Sequence, residues 1–363
     1  MLADMATLSL GEQHSIILKQ DGSVWSTAVS FRDRSNSRGM SNYFEQVISS
    51  GAIAAAAGFG YSLVVKKGGY VWALGKNSKG QLGDGTKTKR GAFSFIRTIP
   101  GSKLVAAGGY HSMLVTHGGS VWVAGWNKYG QLGDGSKSDR ASFSQVMSGG
   151  NKAVAVTAGD AHSIVMKEDG SVWATGRNNK GQLGDGSRIS RENFMRVMSS
   201  GAVAVAAGAY HSIVLKQDGS VCTTGWNKYG QLGDGLTADT VNYVQVAFGG
   251  ARAIAAGMRH SMMLKQDGSV WATGWNGHGQ LGDESTTDSR IFVLVISTDV
   301  DAIAAGNFHS MVHKRDGSFW ATGSNELGQF GDGTSTSEKN FVRLAVQIDL
   351  EHEIGTCMDS SSR

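Results

Sequence analysis

A tryptophan returns along this chain at Trp25, Trp72, Trp122, Trp173, Trp271 and Trp320, with Cys222 in the one vacant slot, so that the steps run from 47 to 51 residues. A period of that size means one supersecondary unit copied end to end, because each copy buries its apolar surface only against a neighbour like itself. The stretch Ala251–Gly282 shows the unit at its clearest: an alanine-rich run, His-Ser, an Asp-Gly turn, Val-Trp, then Gly-Gln-Leu-Gly with Asp283 after it. Seven copies account for nearly all of the 363 residues.

Within that copy Ala253–Ala256 reads as a strand in a crowded place, since its side chains are small, and Met262–Lys265 reads as a second strand. Asp267 and Gly268 lie between this run and Val270 and Trp271, a hairpin signal because Asp-Gly readily takes the positive φ angles of a tight turn. The apolar residues are consecutive instead of alternating, which in short strands implies burial on both faces, as in a sheet stacked between two like sheets. Ala272–Ser289 is rich in Gly, Asn, Ser, Thr and Asp and reads as a loop, after which Phe292–Val295 supplies a fourth strand. Four strands in each of seven copies predict an all-β fold, a seven-bladed β-propeller with four antiparallel strands per blade. The alanine strand lies innermost, where converging strands leave little room, and the tryptophan fills the wider gap between blades.

The blades are expected near 1–48, 49–98, 99–148, 149–198, 199–248, 249–297 and 298–346 of a single propeller domain, with 347–363 as a C-terminal tail. The first inner strand is expected at Met5–Leu10, and the outer strands at Tyr43–Val47, Phe93–Ile96, Phe143–Val146, Phe194–Val197, Tyr243–Val246, Phe292–Val295 and Phe341–Leu344. Blade one departs from the pattern. Its loop Ala28–Asn42 lacks Gly-Gln-Leu-Gly-Asp, carries Phe31, Arg32, Arg34 and Arg38 instead, and is expected to be less ordered than its counterparts. In the tail, Gln347–Gly355 looks like the corrupted start of an eighth inner strand, which either pairs at the seam between blades seven and one or frays.

The repeated A-A-G-x-x-H-S, D-G-S-V-W and G-x-N-x-x-G-Q-L-G-D-G resemble the regulator of chromosome condensation repeat family, a set of seven-bladed propellers, over about residues 5–346. One departure is that Pro100 is the sole proline, whereas the family usually carries one before the outer strand. The resemblance implies the ring fold and, through the family's namesake, guanine-nucleotide exchange on the small GTPase Ran. In the namesake that activity uses a wedge projecting from one blade, and chromatin is held through a basic N-terminal extension. Here no repeat exceeds 51 residues and the chain starts close to its first strand, so neither device is expected. The corner from Gly257 to Ser261 is similar to the Gly-Trp-Arg-His-Thr corners of the plant photoreceptor branch, but Met258 stands where the chromophore indole would be, so photochemistry is not expected.

Gly makes up 52 residues, as a chain of tight turns demands, and the two cysteines, Cys222 and Cys357, exclude a disulfide framework. No basic-apolar-small leader and no long apolar run stand in the sequence, so a soluble, unsecreted protein of the cytoplasm or nucleus is expected.

Three motifs invite chemistry. His14, His111, His162, His211, His260 and His309 are equivalent positions around a ring. A catalytic or metal-binding group is not needed in six copies, and sevenfold symmetry spreads the imidazoles apart, so they are expected as buried hydrogen-bonding groups tying adjacent strands together. Gly277, Gly279 and Gly282 fit G-x-G-x-x-G but open no helix, so no nucleotide site is expected there. Asp84, Asp134, Asp185, Asp234, Asp283 and Asp332 each sit alone among glycines and are expected to brace turns, not to bind calcium. No catalytic residue, metal ligand or cofactor is assigned.

The informative differences between copies lie in the loops. In an up-and-down blade the first and third connections share one face of the disc, so the corners before each His-Ser and the Gly-Gln-Leu-Gly loops form one surface. It carries Phe59, Tyr110, Tyr210, Met258, Arg259 and Phe308 in the corners, and Trp126, Tyr129, Trp226, Tyr229, Trp275 and His278 in the loops. Aromatic residues and arginine dominate binding hot spots. Over the fifteen residues starting four after each tryptophan position, blades one to seven carry charges of +2, +4, +1, +3, −1, −3 and −3. The chain's net +4 therefore hides a basic half, led by Lys76, Lys79, Lys87, Lys89, Arg90, Arg177, Lys180, Arg188 and Arg191, and an acidic half, led by Asp283, Glu284, Asp288, Glu326, Asp332 and Glu338. These observations predict a non-enzymatic propeller presenting an aromatic, charge-divided face to a protein partner, with nucleotide exchange on a Ran-like GTPase as the alternative. The acidic half would repel a phosphate backbone, so nucleic acid is not an expected partner.

Overall fold

The computed structural model describes residues 7–27 and 42–345, and these form seven four-stranded antiparallel sheets, each built from consecutive strands. The anticipated loose loop of blade one and the tail from Gln347 lie outside the described residues. Among the described residues no helix is long and apolar enough to cross a membrane.

Blade three shows the common plan. Its inner strand is Ser102–Ala107, its second His111–Thr116, its third Val121–Gly125 and its outer Arg140–Met147. The second strand is buried along its whole length, as its unbroken apolar run predicts, because neighbouring blades cover both of its faces. The alanines of the inner strands face the axis and line a central channel of about 320 Å³. Each blade's tryptophan packs against the core of the blade before it: Trp122 joins the cluster of Leu63, Val65 and Val71, and Trp271 joins that of Ile213, Leu215 and Val221. A lysine ammonium covers several of these rings, as Lys265 does at 4.1 Å from the Trp271 centroid.

Two local expectations change. In the Asp-Gly hairpins only the glycine is left-handed, with Gly170 at φ 73° and Gly268 at φ 85°. The aspartate acts through its side chain, Asp267 Oδ1 accepting from Ser269 N–H at 2.9 Å, so the turn is an Asx turn closed by a glycine. In blade one the outer strand is Glu45–Ile48, later and shorter than the expected Tyr43–Val47, whereas elsewhere the outer strands outrun their apolar cores, reaching Arg90–Thr98 in blade two and Ser289–Ile296 in blade six. The polar residues at their start pair with the glycine ending the third strand, Gly75 with Arg90 and Gly274 with Ser289, where an apolar pattern carries no signal.

The six histidines tie blades together and not merely strands. His111 Nε2 lies 2.8 Å from Ser163 Oγ of the next blade, and Ser163 Oγ–H donates to Gln131 O at 2.7 Å. With the serine proton so committed, Nε2–H must donate, which fixes the neutral tautomer. The same bond recurs from His14 to Ser62, His162 to Ser212, His211 to Ser261, His260 to Ser310 and His309 to Ser15. In blade two Tyr61 fills the histidine slot, and its hydroxyl donates to His111 O at 2.6 Å. The contact between His309 and Ser15 at 2.9 Å, with the bridge between Asp332 and Tyr43, brings blade seven against blade one and closes the ring.

Candidate partner-binding face

The Gly-Gln-Leu-Gly loops are rigid platforms. In blade five the buried Asn227 holds its loop from inside: its Nδ2 donates to Asp234 Oδ1 at 2.9 Å and to Leu236 O at 3.2 Å, while its Oδ1 accepts from Leu232 N–H at 3.0 Å. Gly233, at φ 76°, lets the loop lie on the Phe292 ring of the next blade. Asp234 then bridges to Ile291 on that blade's outer strand, so each loop straps two blades together.

Corner and loop meet through one recurring backbone bond. Trp126 N–H donates to Tyr110 O at 2.8 Å, Trp226 N–H to Tyr210 O at 2.8 Å, and Trp275 N–H to Arg259 O at 2.9 Å. That bond puts the variable corner residue and the first loop residue side by side on one face, as the connection order predicts.

The side chains so placed form a continuous belt. Phe59 meets Tyr110 with centroids 6.1 Å apart, Tyr110 meets Trp126 at 5.9 Å, and Trp126 meets Tyr129 at 5.4 Å. Arg177 then bridges blades, its guanidinium 4.9 Å from the Tyr129 ring and 5.1 Å from the Tyr210 ring. Tyr210 meets Trp226 at 5.7 Å, Trp226 meets Tyr229 at 5.3 Å, and Tyr229 meets Trp275 at 6.2 Å. Trp275 packs on His278 at 5.2 Å and on Phe308 at 5.6 Å, so the belt spans blades two to seven. Its rings are half-buried, each keeping part of its surface open. Arg259 lies among Trp226, Tyr229 and Trp275, and Met258 sits lower, at the channel mouth.

The charged candidates divide. Arg90 forms an ion pair with Asp84 at 2.6 Å and Arg191 one with Asp185 at 2.7 Å, so these two members of the basic half, at the start of their outer strands, are bound to the loops of their own blades. Arg140 is bound to Asp134 in the same way. Lys180 and Arg188 reach Asp239 of the next blade at 3.3 and 3.5 Å, and Lys76 reaches Glu12 at 3.6 Å. Lys87 and Lys89 are exposed, and Lys79 is half-buried. The residue six after each loop aspartate contributes to the division: it is Arg90, Arg140 and Arg191 in blades two to four, but Thr240, Ser289 and Glu338 in blades five to seven. Among the described residues the loop aspartates of blades two to four are thus ion-paired and those of blades five to seven are not. Burial works to raise the carboxyls of Asp84, Asp134 and Asp185, but hydrogen bonds from the paired arginine and from neighbouring Ser, Thr and Asn together outweigh it and lower them.

One face residue was not anticipated. Asp160 lines the channel mouth and accepts from the Tyr210 hydroxyl at 3.1 Å. Burial raises its carboxyl, against the pull of Tyr210 and Arg177. Its signal in the sequence was its position, in the slot filled by Phe59 in blade two and Met258 in blade six. Among the described residues no group of three or more His, Cys, Asp or Glu side chains could hold a metal ion.

The family model described as the RCC1-like domain matches residues 99–358, and that of the regulator of chromosome condensation (RCC1) repeat matches residues 68–115. Among solved structures, human WBSCR16 superposes with a TM-score of 0.78 at 20% identity, over 89% of this chain and 93% of that one. Yeast RCC1 (Prp20), solved bound to Kap60, gives 0.74 at 20% identity, over 84% and 78% of the two chains. Prp20p of Saccharomyces cerevisiae, in a structure whose description includes binding to Gsp1p and histones, gives 0.71 at 20% identity over 80% and 76%. No curated protein matches the sequence significantly.

Proposed function

The chain belongs to the family of RCC1-like domains, and on that premise we propose that it is an interaction disc, a rigid ring whose aromatic, charge-divided face engages a protein partner without doing covalent chemistry. The observation that carries this reading is the belt from Phe59 to Phe308, set on loops braced by buried asparagines. Rigid, half-buried aromatic side chains lose little entropy on binding and bring large contact areas, which is why such residues anchor interfaces.

The experiment is affinity purification of wild-type protein beside a variant in which Tyr110, Tyr210 and Phe308 are all alanine. The variant should keep its thermal midpoint within a few degrees and lose the partner. Retention of every partner by a folded variant removes this face from consideration. Division of charge adds a kinetic expectation: the association rate should fall as salt shortens the screening length to about 8 Å and below. A rate unchanged between low and physiological salt would exclude steering.

A finer reading names a Ran-like small GTPase as the partner, supported by family membership and by the Gsp1p binding described for Prp20p. Release of labelled GDP from purified Ran, measured with and without this protein, decides it: acceleration makes the disc an exchange factor, and an unchanged rate leaves it a binding module.

A further inference from the structure

Two arginines are threaded into the aromatic belt, and they differ in one respect. Arg177 is satisfied within the chain, its Nε donating to Asn179 Oδ1 at 2.8 Å with the Asp160 carboxylate near Tyr210 beside it. Arg259 has ring faces around it at 5.7, 5.4 and 5.2 Å, from Trp226, Tyr229 and Trp275. Among the described residues it forms no ion pair, and its buried Nε has no hydrogen-bond partner. A guanidinium keeps its charge at any physiological pH, and ring quadrupoles steady a cation without neutralising it. That nitrogen is covered by the protein, so the edge of the guanidinium that stays open to a ligand is its two Nη groups.

We propose that Arg259 is a carboxylate socket: an Asp or Glu side chain of the protein partner docks on its guanidinium, and Trp226, Tyr229 and Trp275 hold the fork in place to receive it. This rests on the partner-binding reading of the same face. The rings fix the plane of the guanidinium before the partner arrives, so little side-chain freedom remains to be lost, and a planar fork matches a carboxylate edge with two parallel bonds.

The surroundings restrict the occupant further. Glu284, Asp288 and Glu326 stand on the loops of blades six and seven and Glu338 opens the outer strand of blade seven, and none of them is ion-paired among the described residues. On the same rings Lys180 lies over Trp226 at 5.9 Å and Lys228 over Tyr229 at 5.5 Å, so a carboxylate approaching Arg259 meets further cations beside it. The partner segment is thus one that presents an acidic side chain at this point of the face.

Two peptides test it, acetyl-Gly-Gly-Glu-Gly-Gly-amide and the same peptide with glutamine for glutamate. The probe is the Nε–H nuclear magnetic resonance signal of Arg259 in the full chain, assigned by its absence from Arg259→Lys. The glutamate peptide should move that signal saturably and leave Arg177 in place, and the glutamine peptide should bind at least tenfold more weakly. Indole emission should report a loss of similar size for Arg259→Gln. Equal response to the two peptides, or no response to either, overturns the socket; the comparison is read on the wild-type chain, and Arg259→Lys serves only to assign the signal. Acetate acting as well as the glutamate peptide at equal concentration also overturns it, since the site would then take any small anion. If the socket fails while the triple alanine variant still loses its partner, the face stands without it. If that variant keeps all partners, the face itself falls.

Discussion

Glu284 holds a left-handed backbone, φ 67°, at the position where Gly85, Gly135, Gly186, Gly235 and Gly333 hold φ between 76° and 86°. A side chain at such an angle crowds the following carbonyl, at about 1–2 kcal/mol. Glu284→Gly should therefore stabilise the protein by about 1 kcal/mol, less a part for the freer unfolded chain, seen as a higher urea midpoint at unchanged slope. A lower midpoint would mean that the glutamate makes a compensating contact. The opposite substitution, Gly233→Ala, sets a Cβ 2.6 Å from the Phe292 ring at φ 76° and should destabilise by about 2–3 kcal/mol. Residue-scale legibility was uneven. That the loop aspartates brace turns could be read from Asp-Gly and its neighbours. That Arg90 and Arg191 are consumed by those aspartates could not, because a net charge count does not say which cation folds back onto which anion. Asp160 stayed hidden for a related reason: a single carboxylate in a variable slot has no period, and only the converging inner strands make that slot a channel mouth.

At the scale of strands and loops, the seams rest on a polar bond set within an apolar stack. Ser163→Ala removes the acceptor of His111 Nε2–H and the donor to Gln131 O together, leaving two buried groups unpaired. A cost of about 2–3 kcal/mol is expected, measured by chemical denaturation. Restoration by Ser163→Thr would separate the hydroxyl's contribution from that of packing. The inner, second and third strands were legible because each has its own signature: small residues, an unbroken apolar run, and Val-Trp. The outer strands were legible only at their aromatic centres, such as Phe143, which packs beneath Gly83 of the preceding loop. Their polar beginnings are set by pairing with a glycine and by strapping from the neighbouring blade, neither of which leaves a periodic trace.

For the whole ring, acid is the revealing perturbation. Burial holds His14, His111 and His211 at about 4 and His162, His260 and His309 at about 3, below the ordinary 6.5. A folded value below the unfolded one means that the unfolded chain binds more protons between the two. The stability contributed by these groups is therefore complete above pH 6.5 and is lost as pH falls from there toward 4, at about 1.4 kcal/mol per pH unit for each proton taken up. Denaturant midpoints between pH 8 and pH 5 should be flat at the top and steepen below pH 6.5, with the proton uptake on unfolding approaching about six. A flat profile down to pH 5 would mean that the imidazoles are not kept neutral by the fold.

Each sheet is drawn from a single run of sequence, and the junction of blades seven and one is fastened by the same imidazole-to-hydroxyl bond as its neighbours. Among the described residues no strand is lent across that junction. The order in which the wedges are made is then a convention of the gene and carries no mechanical weight: a circular permutant opened between Gly149 and Gly150, its former ends joined by a flexible linker, should assemble into the same wheel and withstand the same urea.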